Sequence, residues 1–158
     1  TSAPAAAASA REVVMGTKPG AAPVSLQMYV RGPIRSRFGP RIDPIDKVPR
    51  FHRGIDIAAP TGTPIGAAAE GRVIFSGRNK GHGNQVVIEH PDGTVTRYGH
   101  ASQLIVKEGD YVEQGQTIAL VGSTGHSTGP HLHFEVIKDG AYVDPLKVLP
   151  KAFALARR

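Results

Sequence analysis

From Leu26 onward, apolar residues come in short runs divided by turn residues, whereas residues 1 to about 24 are mostly Ala, Ser, Pro, Gly and Thr without a sustained period. Five runs predict strands: Gly71–Phe75, Gln85–Glu89, Thr94–Tyr98, Thr117–Val121 and Leu132–Ile137. Pro91-Asp-Gly93 predicts a hairpin between two of them, and Asp139-Gly140 a second one leading into Tyr142-Val143. Ala5 to Ala10 allows one helical turn, and the stretch from Pro145 ends in a short helix. Gly62-Thr-Pro-Ile65 followed by Gly71-Arg-Val-Ile74 is echoed by Gly109-Asp-Tyr-Val112 followed by Gly115-Gln-Thr-Ile118. That echo is a weak sign of duplicated β-units. The expected class is all-β. The expected organisation is a linker or upstream remnant over 1–25, one domain over 26–150 and a tail over 151–158.

Composition agrees with strands and turns. Nineteen Gly and thirteen Pro make about a fifth of the 158 residues, above average usage. Without Trp, and with 6% aromatics, small and β-branched side chains must fill the core. The start at Thr1, lacking Met or an apolar signal core, reads as a trimmed chain or an excised fragment. No run of apolar residues is long enough to span a membrane.

The formal charge of +6 points to a polyanionic partner. No nucleic-acid partner is expected, because no RNA- or DNA-binding signature and no stacking platform accompany the charge. Seven basic residues fall between Arg31 and Arg53, against only Asp43 and Asp46. A solvated face explains such a strip as well as a binding surface does.

With no cysteine, any metal must be held by His and carboxylates. Seven histidines are present. His52 and Asp56 lie in Phe51-His-Arg-Gly-Ile-Asp56, and His131 and His133 in Gly129-Pro-His-Leu-His-Phe-Glu135. In a straight strand His52 and Asp56 would stand roughly 13 Å apart. Both can reach one ion only if the chain bends, and Gly54 permits that. His131 and His133 share a strand face, so one can ligate while the other stands beside it. Two His and one Asp with an open fourth position form a catalytic rather than structural zinc pattern. A His-x-His pair alone is more often a chance surface feature. The co-occurrence of both pairs in Gly-rich settings, with His100 in Tyr98-Gly-His100, changes that weighing.

Ser36-Arg-Phe-Gly-Pro-Arg41, Phe51-His-Arg-Gly-Ile-Asp-Ile-Ala-Ala-Pro60 and Gly122-Ser-Thr-Gly-His-Ser-Thr-Gly-Pro-His-Leu-His-Phe-Glu135 resemble the blocks of the lysostaphin-like, LytM-type zinc metallopeptidases. Gly83-Asn-Gln-Val-Val-Ile-Glu-His90 and Arg97-Tyr-Gly-His100 match as well, and the similarity runs from about Met28 to Leu149. The resemblance implies a two-layer antiparallel β-sandwich-like fold, built on a duplicated hybrid motif, with a peptide-binding groove. It implies a Zn2+ cofactor held by His52, Asp56 and His133, with His131 and His100 as the catalytic histidines. The implied activity is endopeptidase action on peptidoglycan stem-peptide cross-links, in the periplasm or elsewhere in the bacterial envelope. D,D-cross-links are the expected target. Glycine bridges, or a catalytically inactive activator of another wall hydrolase, are the alternatives.

The chain departs from some family members in lacking a Tyr between Asp43 and Phe51, so an oxyanion donor, if one is needed, must come from elsewhere, with the second histidine as the candidate. His82, His90 and His126 read as exposed turn or loop residues rather than ligands. Arg41 reads equally as a substrate-carboxylate binder or as a partner of Asp43 or Asp46. Glu135, two positions after His133 and so on the same strand face, reads either as a support behind that residue or, more readily, as an ordinary strand-end carboxylate. Val106-Lys-Glu-Gly109 through Gly122 resembles the turns of lipoyl and biotinyl carriers, but no Lys suited to modification stands at a hairpin tip.

Overall fold

A computed structural model of the chain describes residues 22–151 and 153. The helical turn read at Ala5–Ala10 lies outside them, as do residues 1–21 of the expected linker and 154–158 of the tail. The five predicted strands all form, several of them longer than the apolar runs alone indicate. They are β6 (Gly71–Asn79), β7 (Gly83–Glu89), β8 (Val95–Ala101), β11 (Thr117–Leu120) and β12 (His131–Lys138). Around them stand shorter strands that the apolar pattern does not announce. These are β1 (Ile34–Ser36), β2 (Gly39–Ile42), β3 (Pro49–His52), β4 (Ile55–Ala58), β5 (Pro64–Gly66), β9 (Gln103–Leu104) and β10 (Tyr111–Val112). β13 (Ala141–Val143) follows the Asp139-Gly140 turn, where both residues have positive φ, 52° and 79°, as a two-residue hairpin demands. A single-turn helix, α1 (Pro145–Val148), is capped by the Asp144 side chain, which accepts from the Leu146 N–H.

Every strand pairing is antiparallel. The large sheet runs β1-β4-β12-β8-β7-β6-β10, with β13 also on β12. A three-stranded sheet runs β5-β11-β9, and β2 and β3 form a separate hairpin. One buried apolar cluster joins the two larger sheets, with Ile65 and Ile118 from the smaller and Ile55, Ile57, Val86, Leu132 and Phe134 from the larger. Each such side chain stabilises the fold by about 1.5–3 kcal/mol relative to exposure. The architecture is all-β in two layers.

The sequence echo has a structural counterpart. Within the first unit lie β5 and β6, and within the second β10 and β11. β5 pairs with β11 while β6 pairs with β10, so each half of one unit meets the opposite half of the other. The same ring of hydrogen bonds closes both junctions. Gly62 N–H donates to Val121 O and Val121 N–H to Thr63 O, both at 2.8 Å; Gly109 N–H donates to Val73 O and Val73 N–H to Asp110 O, also at 2.8 Å.

Strand alternation then sets the site. Along β12, Leu132, Phe134 and Val136 face the core, which leaves His131, His133 and Glu135 on the other face. Along β4, Ile55 and Ile57 face the core and Asp56 does not. The register places His133 opposite Asp56 on one side and opposite Gly99 on the other.

Candidate metal and catalytic site

The chain bends between β3 and β4, and Gly54 sits in the bend. A Cβ there would come within 2.2 Å of the Phe134 carbonyl oxygen, so only glycine lets β12 run this close. The bend carries His52 over β4, and its Nε2 comes within 3.3 Å of Asp56 Oδ1 and 3.3 Å of His133 Nδ1. His133 Nδ1 is 2.8 Å from Asp56 Oδ1. Three ligand atoms from buried residues thus converge on one point. Zinc bonds of about 2.1 Å in a tetrahedral arrangement would set ligand atoms about 3.4 Å apart, so the donor set fits zinc.

Each histidine has one ring nitrogen held by the protein, which leaves the other directed into the site. The Arg37 carbonyl accepts from His52 Nδ1–H at 2.9 Å, freeing Nε2. Glu135 Oε2 accepts from His133 Nε2–H at 2.8 Å, freeing Nδ1. The Thr124 carbonyl accepts from His100 Nδ1–H at 2.6 Å, and the Gly129 carbonyl from His131 Nδ1–H at 2.8 Å. The His100 and His131 rings lie 4.8 Å apart between centroids, and His131 Nε2 is 3.6 Å from Asp56 Oδ1. His100 has φ of 65°, a left-handed conformation rare outside glycine, at the end of β8.

The electrostatics divide the histidines into two kinds. Burial lowers the His100 pKa to about 4 and also lowers that of His131, so both rings are neutral at pH 7 and can accept a proton. Burial would also lower His133, but hydrogen bonds and charge from Asp56 and Glu135 raise it to about 9. Burial would raise the Asp56 carboxyl, yet the bonds from His133 and His52 hold it far below the usual carboxylate range. An anionic oxygen flanked by imidazoles is suited to a dication.

The four histidines and one aspartate proposed from sequence all meet in this one site. Other readings are corrected. Arg41 pairs with neither Asp43 nor Asp46; its Nη1 is 3.3 Å from Asp56 Oδ2 and donates to Ser36 Oγ at 2.7 Å. Arg50 takes both of those aspartates. His90 is not an exposed turn residue but 2% exposed, with Nδ1–H donating to Glu70 O at 2.6 Å. His82 approaches Glu135 Oε2 at 3.2 Å, and His126 approaches Asp43 at 3.2 Å. Glu135 is placed as a support for His133, accepting from its Nε2–H at 2.8 Å, rather than as an ordinary strand-end carboxylate. Its place two positions after His133, on the same strand face, was the available signal. His82, His133 and Glu135 also cluster closely enough for a metal, but His133 Nε2 is already engaged as a donor to Glu135.

Comparison with known proteins gives the same picture. The profile of Peptidase family M23 matches residues 50–145, more than half of the chain. The chain is 50% identical over 121 residues to DD-carboxypeptidase/endopeptidase Mpg of Neisseria meningitidis serogroup B, covering 77% of this chain and 27% of the relative. It is 44% identical over 124 residues to peptidoglycan DD-endopeptidase ShyC of Vibrio cholerae, covering 77% and 29%. The chain therefore spans under a third of the length of these relatives. Among solved structures, a zinc containing peptidase from Vibrio cholerae superposes with a TM-score of 0.68 at 40% identity, over 79% of this chain and 41% of that one. The match over the segment that carries His52, Asp56, His100, His131 and His133 shows that the chain belongs to peptidase family M23.

Proposed function

We propose that this domain is a zinc-dependent peptidoglycan endopeptidase that hydrolyses D,D-cross-links between stem peptides in the bacterial envelope. The observation that carries the reading is the convergence of His52 Nε2, Asp56 Oδ1 and His133 Nδ1 beside two neutral histidines whose Nε2 atoms are free. Relatives at 50% and 44% identity are named for DD-carboxypeptidase and DD-endopeptidase activity, which supports the substrate class. Among the described residues, no helix is long and apolar enough to cross a membrane. The periplasm is the proposed compartment, since stem peptides are its material.

Zinc bound by His52, Asp56 and His133 would polarise the scissile carbonyl and acidify a water. The rest falls to the chain. Either His100 or His131 takes the water's proton on Nε2, and the ring so protonated stabilises the oxyanion or returns that proton to the leaving amine. Their anchored Nδ1–H groups keep the reacting nitrogens aimed without reorganisation. No Tyr is required for the donor role if a histidine fills it.

The test has two arms. His52→Ala should lose zinc, measured by metal analysis, and activity together. His131→Ala and His100→Ala should keep zinc and lose on the order of a hundredfold or more in rate. Digestion of purified peptidoglycan should convert cross-linked dimers to monomers with glycan strands intact. Cleavage of pentaglycine alone would move the reading to the glycine-bridge class.

A further inference from the structure

The cavity above the histidines, about 320 Å³, has Asp56, His100, His131 and His133 at the site itself. Its apolar lining comes from Ile42, Pro44 and Ile45 at the β2–β3 turn, and its polar lining includes Arg35, Ser127 and Thr128. Three other arginines, of which Arg41 also lines this cavity, are committed. Arg41 pairs with Asp56, Arg50 with Asp43 and Asp46, and Arg97 with Glu135. Arg35 differs: among the described residues no carboxylate lies within ion-pair distance of it. It is not loose, however. Its Nη2 donates to Thr128 Oγ1, and its Nη1 lies 3.7 Å from where a Cβ on Gly129 would stand. Gly129 is the residue whose carbonyl anchors His131. A guanidinium is thus braced on the loop that aims a catalytic histidine, with donors left over.

We propose that Arg35, with the hydroxyls of Ser127 and Thr128, forms a carboxylate-binding subsite for the residue that leaves with the scissile nitrogen. This rests on the peptidase reading above. Cleaving a C-terminal D-amino acid, or a D-Ala bond to the side-chain amine of a diamino diacid, shares one chemical feature. In both, the carbon bearing the scissile nitrogen also bears a free carboxylate, two bonds from the nitrogen. In a glycine bridge that carboxyl is tied up in the next amide. One guanidinium in the same cavity as the histidines therefore accepts carboxypeptidase and D,D-endopeptidase substrates alike and gives a glycine bridge nothing. Bidentate recognition of a carboxylate is the task for which arginine's planar fork is suited.

The experiment uses two synthetic cross-linked peptides that differ only in whether this carboxylate is free or amidated. Zinc-loaded wild-type protein should cleave the free form with about ten- to a hundredfold higher kcat/KM, as for a charged hydrogen bond. Arg35→Gln should abolish the preference mainly through KM, Arg35→Lys should recover part of it, and zinc content should be equal in all three. Dissociation constants measured on zinc-loaded His131→Ala protein, whose turnover is slowed, should show the same preference, and its loss on adding Arg35→Gln. Equal cleavage and binding of both peptides by the wild-type site, or a preference unchanged in Arg35→Gln, would overturn the subsite and leave the peptidase reading standing. Cleavage of neither peptide by wild-type protein would remove both.

Discussion

Glu135 decides which nitrogen of His133 faces the ligand site. Its Oε2 accepts from His133 Nε2–H at 2.8 Å and stands 3.2 Å from His82 Nε2, while Oε1 lies 3.6 Å from Arg97 Nη1. The carboxylate is 3% exposed, so it cannot exchange these partners for water at no cost. Removing it should let the His133 ring change tautomer or rotate, and zinc affinity should fall 10–100-fold in Glu135→Ala, read by competition with a chelator. Glu135→Gln keeps an acceptor oxygen and should recover most of the loss. An Ala variant that binds zinc as tightly as wild type would show that His133 needs no support from it. The sequence placed Glu135 on the His133 face by its two-residue spacing. It gave no sign that Arg97 and His82, 38 and 53 positions away, would close over it, since that depends on the pairing of β12 with β8. The residues proposed as ligands were more legible because His, Asp and Gly54 carry their constraints locally.

At the scale of elements, strands with an apolar run or a turn signal of their own showed in the sequence, the four-residue β11 and three-residue β13 included, and the other short ones did not. β6, β7, β8, β11 and β12 announce themselves by β-branched or aromatic runs, whereas β1 to β5, β9 and β10 have two to four residues each and form because a neighbour supplies the ladder. The β7–β8 hairpin shows the same limit. Pro91-Asp-Gly93 reads correctly as a turn, and polar residues beside a turn face water by default. Here Glu70, just before β6, meets His90 through its carbonyl, and His90 is buried. The result is a buried chain of hydrogen bonds: Glu70 O accepts from His90 Nδ1–H, His90 Nε2 meets Thr96 Oγ1 at 2.8 Å, Thr96 meets the Tyr98 hydroxyl at 2.7 Å, and that hydroxyl accepts from Ala68 N–H at 2.9 Å. His90→Ala should therefore cost about 1–3 kcal/mol in urea unfolding, by leaving buried groups unpaired. His126→Ala, half-exposed on the loop before β12, should stay within about 0.5 kcal/mol. Equal effects would mean that the buried hydrogen bonds of His90 stabilise the fold no more than an exposed imidazole does.

Across the whole molecule, the reciprocal pairing of the two β-units closes a core on one side and leaves a histidine-rich face on the other. That arrangement gives stability a pH dependence of two opposite signs. His90, His100 and His131 have lowered pKa values, caused first by burial, with His100 near about 4. Between about pH 6.5, the unfolded value, and those lower values, the unfolded chain binds more protons than the folded one. Stability is thus lost as pH falls through that window. His133 works the other way. Raised to about 9 by Asp56 and Glu135 despite burial, it binds more protons folded than unfolded, so its contribution is present below about pH 6.5 and is lost as pH rises through 9. Metal-free protein should accordingly be most stable near pH 7, with lower urea midpoints at about pH 5 and pH 9. Zinc saturation should raise the midpoint and remove the alkaline decline, because His133 Nδ1 then holds the ion in place of a proton. A midpoint that climbs steadily from pH 5 to pH 9 in metal-free protein would mean that the proton assigned to His133 between Asp56 and Glu135 is not there.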